Sequence, residues 1–137
     1  MKQPIDLSRR FLALADRDIK TVTLLAGIPE SDDEAIGFHA QQAVEKCIKA
    51  VLALHEVPFR KTHDLAELVD LLHDRRILRP PNAETLDSLS PFAVTFRYDL
   101  VEVEAMNREK VQGIVQRVRP REEARRDEED WSCPSFN

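Results

Sequence analysis

Residues 37–54, GFHAQQAVEKCIKAVLAL, set a block of polar side chains inside an otherwise apolar run. On a helix, His39, Gln42, Lys46 and Lys49 fall three, four and three residues apart and share one stripe. Gln41, Glu45 and Lys49 fall four apart on the adjoining stripe. The Glu45–Lys49 pair has the favourable acid-first order, which contributes about 0.2–0.5 kcal/mol on an exposed helix. Two readings fit these spacings. One is a solvated face laced with salt bridges. The other is a polar seam, lining a cleft or a dimer interface, whose imidazole, amide, ammonium and carboxylate groups hold a ligand.

Two further groupings carry chemistry. KTHDL brings Lys61, His63 and Asp64 together at a helix start. Free amides at a helix N-terminus with a lysine and a histidine nearby suit a phosphate. The simpler reading is that Thr62 or Asp64 caps the helix and His63 covers its first turn. TFRYDL places Arg97 beside Tyr98. Arginine offers a planar fork to phosphate or carboxylate, and tyrosine can stack or donate. Pairing of Arg97 with Asp99 or Glu102 explains it equally well. A catalytic role would fall to Arg97, Tyr98 and His63. No Gly-rich phosphate loop, paired zinc spacing, HExxH or nucleophile elbow occurs. The sequence therefore gives no reason to expect a metal or a cofactor.

The elements that must position these groups read as helices. In DLSRRFLALADRDIKTVTLLAG, Leu7, Phe11, Leu14, Ile19, Val22 and Leu25 recur at helical spacing. Asp6 or Ser8 suits its start, and Gly27 followed by Pro29 its end. Ser31 with Glu34 forms a capping-box pattern for a second helix that runs to about Glu56, where Pro58 closes it. That helix is apolar nearly all round, which places it at the centre of a bundle or in a subunit interface. A third helix follows KTHDL, with Leu65, Leu68, Val69 and Leu72 facing inward. Pro80 and Pro81 impose a loop. A short helix within residues 82–99 breaks near Ser90-Pro91, and a last helix covers about Val101 to Val118. The expected fold is all-α, an up-and-down bundle of four to five helices spanning residues 1–119. Residues 120–137 lose periodicity and read as a charged, poorly ordered tail, in which Trp131 and Phe136 are either loose surface residues or a docking peptide.

Composition narrows the function classes. The chain of 137 residues carries 25 acidic and 20 basic side chains, a net charge of −5, which disfavours a nucleic-acid binder acting through bulk charge. No apolar run reaches the roughly 18 residues of a membrane span, and the start lacks a signal-peptide core. Cys47 and Cys133 have neither metal spacing nor a disulfide framework, so a cytoplasmic location is expected. Cys47 reads as a small buried apolar residue.

FHAQQAVEKCIKAVLAL, KTHDLAELVDLL and FRYD together resemble the HEPN domain family (higher eukaryotes and prokaryotes nucleotide-binding). RRFLALADRDIKTVTLL is similar to that family's first helix, where an Ala-x-x-Asp segment is usual. The resemblance spans roughly Arg9 to Val118. It implies a helical bundle, a homodimer with polar positions facing a cleft between protomers, a prokaryotic cytoplasm, and a small nucleotidyltransferase as partner in a toxin–antitoxin-type pair. Many members cleave RNA with an Arg, four to six residues, then a His. Here the positions after Arg97 hold Glu102, Val103 and Glu104, and no histidine has an arginine at that distance before it. Tyr98 is followed by Asp99 where the family commonly has proline.

Three readings follow. The first is a HEPN protein that binds a nucleotide or a partner nucleotidyltransferase through His39, Gln42, Glu45, Lys46, Lys49, Lys61, His63, Asp64, Arg97 and Tyr98, without the usual ribonuclease motif. The second is an RNA-cleaving toxin with a non-standard site. The third is a non-enzymatic dimeric interaction module.

Overall fold

A computed structural model describes residues 3–81, 86 and 106–120, and these are all helix and connector, with no strand among them. The helices are α1 (Pro4–Ala26), α2 (Asp33–Leu54), α3 (Leu65–Asp74) and α4 (Arg108–Val118). The all-α bundle expected from periodicity is what the chain forms. Arg97, Tyr98, the short helix expected within residues 82–99 and the tail residues Trp131, Cys133 and Phe136 lie outside the described residues, except that Leu86 is buried in the core.

α2 is the central element. Ile36, Ala40, Ala43, Val44, Cys47, Ile48, Val51 and Leu52 are all inaccessible or nearly so, and they join Ala15 and Val22 of α1. The α3 stripe, Leu65, Leu68, Val69 and Leu72, and the α4 stripe, Val111, Ile114, Val115 and Val118, close over them as their spacing predicts. α1 keeps part of its expected face, with Val22 buried and Ile19 and Leu25 packed against the core. Leu7 and Leu14 are exposed, and the buried stripe is Ser8, Leu12, Ala15, Asp18 and Val22. Phe11 and Leu25 flank that stripe, so the apolar surface of α1 is wider than the part of it that packs. The packed part includes small and polar residues that let α1 approach α2 closely.

The helix ends also depart in detail. α1 starts earlier than expected, with Gln3 at the cap and the Asp6 carboxylate accepting from the Gln3 amide at 3.2 Å. Gly27 ends the helix in a right-handed conformation, φ −82°. The Ser31–Glu34 capping box does not form. The Ser31 hydroxyl is engaged by the end of α1, at 2.6 Å from the Leu25 carbonyl and 2.8 Å from that of Ile28, and Asp32 takes the cap position. α4 begins at Arg108, not near Val101, because the Asn107 side chain accepts from the Lys110 amide at 3.0 Å. Arg108 then ties three segments together. Its guanidinium donates to Asp33 Oδ1 at 2.9 Å, to the Ile28 carbonyl at 2.9 Å and to the Ser31 carbonyl at 2.6 Å. Arg119 grips Asp16 of α1 with two bonds, 2.9 and 3.0 Å.

α2 and α3 both end in a left-handed residue that is not glycine, Glu56 (φ 55°) and Arg76 (φ 57°). In each, the next amide reaches back to the helix, Val57 to the Leu52 carbonyl and Ile77 to the Leu72 carbonyl, both at 2.9 Å. This double-bonded ending normally uses glycine. Arg76→Gly is therefore expected to stabilise the protein by about 0.5–1 kcal/mol, with Arg76→Ala giving no gain, read from urea unfolding midpoints.

Burial pushes the Cys47 thiol up from 9.0 to about 12. A raised folded value means that this group's contribution to stability is complete below pH 9.0 and is lost between there and about 12. At pH 8 in the folded protein, iodoacetamide should leave the Cys47 peptide unlabelled by mass spectrometry, and denaturant should expose it to full labelling.

Candidate functional site

The polar block of α2 is mostly inside the protein. Gln41, Glu45 and Lys49 are buried, at 0, 3 and 8% exposure. The reading of the block as a solvated salt-bridge face fails for this stripe. A carboxylate at such a depth must be paired and hydrogen-bonded, and each of the seam's two carboxylates is.

The first carboxylate is Asp18 of α1. Lys46 Nζ lies 2.5 Å from Oδ2, and His39 Nδ1 lies 3.0 Å from Oδ1. One oxygen serves each cation-forming group. The aspartate comes from α1 and its partners from α2, so this cluster pins the two helices in register.

Glu45 is the second, and it is deeper. Lys49 Nζ donates to Oε2 at 3.1 Å. Oε1 accepts from Gln41 Nε2 at 3.2 Å and faces His63 Nδ1 at 2.7 Å. Gln41 Nε2 also bonds the His63 carbonyl at 3.1 Å. His63 is thus held by both its ring and its backbone. Gln42 extends the Glu45 cluster, its Nε2 donating to Gln41 Oε1 at 2.7 Å. Lys49 Nζ also sits 5.8 Å from the centre of the Phe59 ring, a distance at which the ring quadrupole attracts a cation.

The structure therefore brings together His39, Gln42, Glu45, Lys46, Lys49 and His63, and adds Asp18 and Gln41. Asp64 is placed differently. Its carboxylate accepts from the Ala66 and Glu67 amides at 3.0 and 3.3 Å and caps α3, so the amides a phosphate would use there are occupied. Lys61 is exposed in the connector and, among the described residues, stands outside the network. Beside it the Arg60 guanidinium bonds Glu67 at 2.5 Å and holds that carboxyl below the usual carboxylate range. Among the described residues no group of three or more metal-ligating side chains occurs, and no helix is long and apolar enough to cross a membrane.

The arrangement has two chemical capacities. Each imidazole sets Nδ1 against a carboxylate, so that whenever the ring is neutral Nδ1–H donates and the lone pair lies on Nε2. Each ring also reaches solvent, His63 being 51% and His39 31% exposed at the side chain. Close by, an open and mainly apolar groove of about 570 Å³ runs between the start of α1 and the turn after α2, lined among others by Leu7, Val57, Pro58 and Phe59. Phe59 belongs to both the groove and the seam.

Glu45→Ala strands Lys49 in a site where it is only 10% exposed. The expected cost is about 3 kcal/mol in urea unfolding, and Lys49→Met added to Glu45→Ala should recover a large part of it. Equal loss in the double variant would mean that the pairing is not what the site needs.

No curated protein and no solved structure matches the chain. Residues 8–123 match the HEPN domain, a span that takes in both carboxylate clusters and all of α2, α3 and α4, and the chain belongs to the HEPN domain family.

Proposed function

We propose that this protein binds a nucleotide through its phosphates along the α2 seam, as a homodimer working beside a small nucleotidyltransferase in a prokaryotic toxin–antitoxin-type pair. One observation carries the binding reading. Two carboxylates are buried against the core of the α1–α2 pair, each gripping one lysine and one histidine, and both histidines reach solvent. A fold that only needed stability would do as well with apolar residues there, because buried ion pairs seldom outperform a well-packed core. The partner and the pairing rest on the family resemblance.

A second reading is supported by the Glu45–His63 contact. A histidine oriented through Nδ1 by a buried carboxylate presents Nε2 as a general base. This favours RNA cleavage by a non-standard site, with Arg97 and Tyr98 as the remaining candidates. The absence of the Arg-x4-6-His motif from the sequence places it second. The third reading, a non-enzymatic interaction module, draws on the exposed Leu7 and Leu14 of α1.

Calorimetry and thermal melts with ATP separate these readings. At a hundredfold excess over Kd, binding to the native state stabilises by about 2.7 kcal/mol, which should raise Tm by roughly 5 °C or more. Unchanged heat and Tm at saturating nucleotide would sink the binding reading. RNA cleavage by the pure protein that is lost in both His63→Ala and Arg97→Ala would promote the second.

A further inference from the structure

We propose that His39 and His63, rather than the lysines, take the anionic part of the ligand, and that each does so by gaining a proton on Nε2 as the ligand binds. The inference rests on the nucleotide-binding reading and assigns that site its ligand-facing groups and its pH dependence.

Both lysines of the seam are already committed. Lys46 Nζ is 2.5 Å from Asp18 Oδ2, and Lys49 Nζ is 3.1 Å from Glu45 Oε2. The two lysines and the two carboxylates offset one another, two formal positive charges against two negative. A phosphate meeting a neutral seam gains no net Coulomb attraction. Pulling a lysine away to meet it would strand a carboxylate that is 11% exposed in Asp18 and 4% in Glu45, a costly step.

The histidines are placed differently. Each uses the carboxylate oxygen that the lysine leaves over, Asp18 Oδ1 for His39 and Glu45 Oε1 for His63. In the neutral ring Nδ1 donates and Nε2 can only accept, which is useless to a phosphate oxygen. Protonation puts an N–H and a positive charge on Nε2 while leaving every existing bond in place. The carboxylate is already positioned to hold a lysine and an imidazolium at once, one on each oxygen. The charged groups around His39 are Asp18 from α1 and Lys46 from α2. Around His63 they are Glu45 and Lys49 from α2, with Lys61 and Asp64 flanking it in the connector.

The test is calorimetry of the full chain with ATP at pH 6 and pH 8, each in two buffers of different ionisation enthalpy, with adenosine as the uncharged probe. A His39→Asn/His63→Asn variant is run alongside. Asparagine keeps a donor where Nδ1 stood and removes the titrating ring, and its Tm reports whether the fold is kept. Single variants serve if the double variant does not fold. ATP should bind about tenfold more tightly at pH 6 than at pH 8. The wild type should take up as many as about two more protons than the double variant, ATP's own titration cancelling in the difference. Adenosine should show no such pH dependence. ATP binding with the same proton uptake in wild type and variant would overturn the inference and leave the nucleotide reading standing. No ATP binding at either pH would remove the nucleotide reading itself.

Discussion

Burying Asp18 and Glu45 beside an apolar helix is the constraint around which the rest of the molecule is arranged. A carboxylate removed from water costs several kcal/mol unless cations and donors meet it, so α2 must carry Lys46, Lys49, His39 and Gln41 among its alanines, valines and leucines. Because Asp18 comes from α1 and His63 from the connector before α3, the partners are separated by 18 to 28 residues in sequence. Sliding α1 by one turn, about 5.4 Å, would leave Asp18 without either partner and Lys46 without its own. The network adds little net stability over an apolar core, but it penalises every other register.

The remaining connections work with that register. Arg108 ties the α1–α2 turn and the first residue of α2 to the start of α4. Arg119 returns the end of α4 to Asp16, two residues from Asp18. The bidentate Arg119–Asp16 pair and the branched Arg108 contacts need a rigid fork, for which lysine is no replacement. Both arginines therefore hold α4 against the α1–α2 pair whose spacing the buried carboxylates set.

Helix number and the inward faces of α2, α3 and α4 were legible because apolar residues recur at the helical period. The face of α1 was legible in part: Val22 is buried and Ile19 and Leu25 pack against the core. Leu7 and Leu14 stay exposed, whereas the packed stripe holds Ser8, Leu12, Ala15, Asp18 and Val22. The two stripes adjoin, Leu14 standing one turn before Asp18, and the packed line takes small residues and one acid that α2 neutralises. The Glu45–Lys49 pair was readable from its four-residue spacing, but its burial was not, and the pairings to Asp18 and His63 cross from one element to another. A signal for Asp18 was present in ALADRD, where an Ala-x-x-Asp pattern fits twice. Position decides between them: Asp16 lies on the exposed side, where Arg119 meets it, and Asp18 lies on the line between Ala15 and Val22.

The central place of α2 also moves the basis for a second copy. From sequence, an all-round apolar α2 argued for either a bundle centre or a subunit interface. In the fold its apolar residues are covered by α1, α3, α4 and Leu86 within one chain, so α2 needs no partner. The large apolar residues left in contact with solvent among the described residues include Leu7, Leu14 and Leu24 of α1, at 40, 38 and 60% exposure. Leu7 and Leu14 are seven residues apart, two turns of helix, and fall on one line. Leu7 also lines the groove that Phe59 shares with the seam. A second copy of the chain that covered Leu7 and Leu14 would meet α1 beside Asp18, because Leu14 and Leu7 stand four and eleven residues before it on the same side of the helix.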